Sequence, residues 1–157
     1  MKRQILFGMA AAVFCAGAVT AQTAPADVEF TDGAITQSLS GNPGNPEEGK
    51  RVFSTAALGN CVACHAAEIT KDIPFPGDVG PALDGAADRW TEAQLRGLVG
   101  NAKMTFEGTV MPAFYKSSGY IRPGDDYTGK AGAEPLAPIL NAQQVEDVVA
   151  YLLTFKE

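Results

Sequence analysis

The sequence predicts an all-α domain. Three segments carry apolar residues at helical spacing behind recognisable N-caps. Gly- and Pro-rich stretches separate them, and no run of alternating apolar and polar residues reads as a strand. The 157 residues suit one small domain.

The first helix starts after Asn45. Asn45 is a good N-cap, Pro46 suits the first helical position, and Glu47 and Glu48 favour the positive end of the helix. Val52 and Phe53 supply its apolar side, and it should run to about Leu58, with Gly59-Asn60 as its stop. Gly49 costs about 1 kcal/mol relative to Ala inside a helix. A helix crossing closely at that point would explain it; the alternative is a tolerated surface glycine. The second helix runs from Thr91 to about Ala102. Thr91 and Gln94 form a capping box, Trp90 can staple onto Leu95, and Leu95, Leu98 and Val99 form the stripe. The third helix follows Asn141 and Gln144, a second box, and its stripe is Val145, Val148, Val149, Leu152 and Leu153, with Tyr151 alongside.

The connections are distinctive too. Residues 22–45 lack a sustained period and read as an extended or poorly ordered arm. Phe30, Ile35 and Leu39 are its few apolar points, placed to dock on the domain or on a partner. Pro74, Pro76, Gly77, Gly80, Pro81 and Gly85 mark a loop after the first helix. Tyr115 to Pro138 is a long Gly-rich loop before the last helix, carrying Asp125, Asp126, Lys130 and Glu134.

The start of the chain reads as a secretory signal peptide. Lys2 and Arg3 precede an apolar run from Ile5 to Val19, and Val19-Thr20-Ala21 has the small residues of a cleavage site. Cleavage is expected near Ala21, with Ala24 or Ala26 as later options. The run is shorter than the ~20 residues of a membrane span, and no stop-transfer segment follows. Cys15 follows the bulky Phe14, unlike a lipidation site, and leaves with the signal. The expected organisation is therefore a signal over 1–21, an arm over 22–45 and a domain over 46–157, exported to the periplasm. Without Lys2 and Arg3 the mature chain has ten basic residues against 18 acidic ones, a net charge of −8. That argues against nucleic acid and against an anionic membrane surface, and it allows a basic partner patch.

Cys61-Val62-Ala63-Cys64-His65 carries the chemistry. C-x-x-C-H is the attachment signature of a c-type haem. Two thiols two residues apart can add to two vinyl groups on one edge of a porphyrin, and the next residue lies beneath the iron, where neutral imidazole is a good ligand. C-x-x-C alone also fits a redox disulfide or half of a zinc site. A structural zinc needs about four Cys or His ligands, whereas this chain has three Cys and one His. A redox disulfide leaves His65 unexplained. One covalent haem c is the expected cofactor, with Cys61 and Cys64 as its thioether anchors and His65 as an axial ligand. The carbonyl of Pro81 is a candidate acceptor for the second ring nitrogen of His65, which would fix its tautomer.

No second His exists for the other axial position. Met104 and Met111 are the methionines left after signal removal. Pro112 holds Met111 to extended backbone and stiffens its loop, which favours Met111. Met104 could simply be packing, and lysines such as Lys103 must lose a proton to bind. An open iron is the remaining alternative. Trp90 could donate its indole N–H to a haem propionate, or serve the core.

Gly49-Lys50-Arg51-Val52-Phe53, Cys61 to His65, Gly80-Pro81-Ala82-Leu83, Met111-Pro112 and Val148 to Leu153, in that order, resemble a class I cytochrome c. The resemblance implies that fold, with the first and last helices crossing at Gly49, Phe53 and Tyr151 and the Pro81 carbonyl holding His65. From about Gly33 onward the chain resembles more narrowly the SoxX family. The phrases that carry this are Ser38 to Gly44, Gly59-Asn60-Cys61, Gln94-Leu95-Arg96, Thr109 to Phe114 and Ile139-Leu140-Asn141. SoxX chains are the monohaem subunits of the SoxAX complex of thiosulfate oxidation. The resemblance implies a SoxA-like cytochrome subunit as heterodimer partner, a SoxYZ-like carrier as transient partner, and a soluble cytochrome as electron acceptor. It also implies that thiosulfate is joined to a carrier cysteine at the partner's haem. On this reading the present chain is a non-catalytic electron-transfer subunit with no catalytic residue, since it keeps no free Cys and no second His for a base. A free-standing periplasmic shuttle cytochrome and a ligand-binding or peroxidatic haem protein are the alternatives.

Overall fold

The structure, a computed structural model, describes residues 22–124 and 129–157. The signal segment with Cys15 and the cleavage site at Ala21 lie outside the described residues, as do Asp125 and Asp126. Among the described residues four α-helices make the frame: α1 (Pro46–Ser54), α2 (Ala86–Arg89), α3 (Glu92–Asn101) and α4 (Ala142–Leu152). Among the described residues there is no strand, only isolated bridges at Thr31–Ala34 and Gly124–Ala131. No helix among them is long and apolar enough to cross a membrane.

Each long helix starts where its cap lies. Asn45 accepts from the Glu47 and Glu48 amides, and both capping boxes form, Thr91 with Gln94 and Asn141 with Gln144. These contacts satisfy N–H groups that the helix itself leaves without partners. The end of α1 differs from expectation. It stops at Ser54, not near Leu58. The Ser54 and Thr55 hydroxyls donate to the Lys50 and Arg51 carbonyls, and Thr55 turns to extended backbone. Such side-chain bonds compete with helix continuation. The short α2 was not expected; it is a single turn within the Gly/Pro-rich connection.

α1 and α4 pack across each other more extensively than any other pair of elements. Gly49 makes the crossing possible: a Cβ there would run into the Asp147 carbonyl and come within 2.7 Å of the Tyr151 Cβ. The helix thus accepts the cost of a glycine for close backbone approach. Phe53 meets Tyr151 edge-on at 5.6 Å, and Phe155 meets Tyr151 edge-on at 4.9 Å. Val52, Phe53, Leu140, Val145, Val148 and Val149 are fully buried around this crossing.

The arm docks on the domain. Ile35 and Leu39 are buried in the common core. Behind them lies a buried ion pair in which Arg96 Nε donates to both carboxylate oxygens of Glu146 at 3.0 Å. The Glu146 Oε1 also accepts from the Leu39 amide at 2.6 Å, and Arg96 Nη1 donates to the Ile35 carbonyl at 3.0 Å. Glu92 completes the network through Arg96 Nη2. Two helices and the arm are therefore tied at one charged centre.

Candidate functional site

The site begins at the turn after α1. Gly59 N–H donates back to the Val52 carbonyl, and Asn60 takes a left-handed conformation at φ 47°. The chain then winds as a 3₁₀ turn over Cys61–Ala63. Side chains three apart eclipse in such a turn, so Cys61 and Cys64 share one side. His65 N–H donates to the Cys61 carbonyl at 2.9 Å, which continues the winding to the histidine.

The following loop is laced to this turn by its backbone. Gly77 N–H donates to the Val62 carbonyl, Gly80 N–H to Cys64 and Leu83 N–H to Ala66, each at 2.8–2.9 Å. Pro81 is thereby brought to His65, and its carbonyl lies 2.8 Å from His65 Nδ1. A carbonyl is only an acceptor, so Nδ1 carries the hydrogen and Nε2 keeps its lone pair for a metal. Gly80 packs against the ring so closely that a Cβ would collide with the imidazole. In the sequence Gly80 marks a loop and belongs to the Gly80-Pro81-Ala82-Leu83 motif; the requirement for a bare backbone here shows only in the packing.

Cys61, Cys64, His65, Pro81 and Met111 all line one cavity of about 720 Å³. Its walls are otherwise largely apolar and come from every helix, with Phe53, Leu95, Val99, Trp90, Val148 and Leu152 among them. Trp90 stands edge-on to Phe106 at 6.1 Å, and both line the cavity. Met104 is 51 % exposed and is absent from the lining. Met111 lies on the strap after α3, with its N–H donating to Thr109 Oγ1 and its carbonyl accepting from Lys103 Nζ. Burial pushes the Cys61 thiol up to about 12. That is opposite to the lowered thiol pKa of a C-x-x-C redox pair. An apolar cavity of this size, two thiols on one side and an imidazole held in one tautomer fit a covalently attached haem.

This fold and site define a c-type cytochrome, and the chain belongs to the cytochrome c family, whose family model matches residues 46–156. One covalently bound haem c is its cofactor. Among solved structures the chain is similar to a chain of SoxXA from P. pantotrophus, with 67% sequence identity and a TM-score of 0.84. The match covers 87% of this chain and 100% of that one, and makes this a SoxX-like cytochrome. No curated protein matched the chain.

Proposed function

We propose that this chain is the periplasmic, monohaem electron-transfer subunit of a thiosulfate-oxidising complex of the SoxAX kind. Its partner is a SoxA-like cytochrome subunit in a heterodimer; a SoxYZ-like carrier visits the complex, and a soluble cytochrome accepts the electrons. The observation that carries this reading is the 67% identity to a SoxXA chain over that chain's full length. The organisation is a signal over 1–21, an arm over 22–45 and the cytochrome domain over 46–157.

Within the site, Cys61 and Cys64 would hold the haem through thioethers, and His65 and Met111 would supply the ligands to its iron. Bound there, the group would supply single-electron exchange. Pro81 fixes the His65 tautomer and ring plane, which raises the basicity of the imidazole. Thioether with imidazole favours a high reduction potential, suited to receiving electrons. The buried apolar walls limit water at the site, and a ligand on a braced loop moves little between oxidation states.

Purification from the native periplasm, with haem staining of each subunit, tests the assembly. A second cytochrome in fixed ratio is expected; a chain that elutes alone and still exchanges electrons would make it a free shuttle. Met111→Ala should lower the potential and let the reduced protein bind carbon monoxide quickly, whereas Met104→Ala should change neither.

A further inference from the structure

We propose that Lys103 is a positioning residue for the iron site, holding the Met111 strap so that its thioether stays aimed into the cavity. This rests on the reading of Met111 as an axial ligand. The strap leaves the end of α3 and returns to it. Phe106 N–H donates to the Ala102 carbonyl at 2.8 Å, and Tyr115 N–H donates to the Gly100 carbonyl at 3.0 Å, so both ends are tied to the same helix terminus. Between these ties, packing is uneven: Ala113 and Phe114 are buried next to the second tie, whereas the stretch before Met111 has little, with Phe106 49 % and Val110 81 % exposed. What holds the middle is polar. Lys103 Nζ donates to the Met111 carbonyl at 2.7 Å, and Met111 N–H donates to Thr109 Oγ1 at 3.2 Å.

Those two bonds act on the peptide groups either side of one Cα. Fixing both planes fixes the direction of the Cα–Cβ bond, and so the point from which the thioether reaches into the cavity. Lys103 is well founded for this task. It sits in the 3₁₀ turn Ala102–Met104 that caps α3, and its own N–H donates to Asn101 Oδ1. The ammonium makes a charge-assisted bond, stronger than a neutral one. A lysine on the helix end thus braces the strap where it has little burial of its own, just before Met111.

The test uses holoprotein carrying Lys103→Met, Lys103→Arg, Thr109→Val or Met111→Ala. The readouts are the weak red absorption band of a methionine–iron(III) bond, the rate of carbon monoxide binding to reduced protein at neutral pH, and the urea midpoint. Lys103→Met should weaken the band and speed carbon monoxide binding roughly threefold to tenfold, the range expected for one lost hydrogen bond. Thr109→Val should do the same more weakly, and Lys103→Arg should restore both signals. If Lys103→Met and Thr109→Val lower only the urea midpoint, or change nothing, Lys103 has no positioning role. If Met111→Ala keeps the band, the methionine assignment itself fails.

Discussion

Arg96→Met should be among the most damaging single substitutions in this protein. The Arg96 and Glu146 side chains are only 5 % and 4 % exposed. Removing the guanidinium strips Glu146 of two bonds at 3.0 Å and leaves its carboxylate with the Leu39 amide. It also removes the donor to the Ile35 carbonyl. Breaking a buried ion pair from one side costs about 3–5 kcal/mol. Small proteins are stable by only about 5–15 kcal/mol, so the expected loss is a large share of the total. Urea unfolding of the holoprotein, followed by circular dichroism, reads it directly. Limited proteolysis should show the arm cut first, because Ile35 and Leu39 lose their anchor. The double substitution Arg96→Met with Glu146→Leu should be less damaging than Arg96→Met alone, since no unpaired charge stays buried. The reasoning fails if Arg96→Met costs under about 1 kcal/mol, or if the two substitutions add to within about 0.5 kcal/mol, as independent sites do.

Gly49→Ala separates two accounts of that glycine. On an exposed helix face it would stabilise by about 1 kcal/mol; the collision with the Asp147 carbonyl should instead destabilise by roughly 1–3 kcal/mol, read from the same urea curves. Gly80→Ala should displace the His65 ring, because the new Cβ meets the imidazole; an unchanged electron paramagnetic resonance spectrum of the oxidised protein would contradict this. The Tyr120 and Gly119 amides donate to Glu134 and hold its carboxyl below the ordinary value, 4.5. The folded form thus favours the carboxylate, so this support for the loop is present above the unfolded pKa and is lost as pH falls through the lower folded one. In the reduced protein, the Gly119 and Tyr120 amide resonances should titrate together below 4.5 and stay flat in Glu134→Gln; a midpoint at or above that value refutes the assignment.

Local features were legible in the residues alone. The three long helices start at Asn45, Thr91 and Asn141 because short polar side chains there complete N–H groups within three residues. The C-x-x-C-H spacing is equally local, since its winding depends on adjacent peptides. Pro81 was legible as a candidate because Pro and Gly punctuate that loop, yet its contact with His65 depends on backbone bonds from Gly77, Gly80 and Leu83 across the turn. Other features belong to tertiary structure. Arg96 and Glu146 are 50 residues apart and each looks like a solvent-facing charge; only the packing of α3 on α4 places them together, away from water. The arm has no periodic signal because it is held by that pair, by core side chains and by isolated turn bonds such as those between Thr31 and Ala34, not by a regular ladder of its own. Lys103 read as a poor iron ligand, and its tie to Met111 exists because the strap folds back over the end of α3. By itself, the sequence determined the all-α class, the helix starts and the haem-attachment motif, each a matter of neighbouring residues. Tertiary structure decided which face of α1 meets α4, how the arm is fastened and how Met111 is held, because these depend on long-range burial and backbone approach that no local spacing encodes.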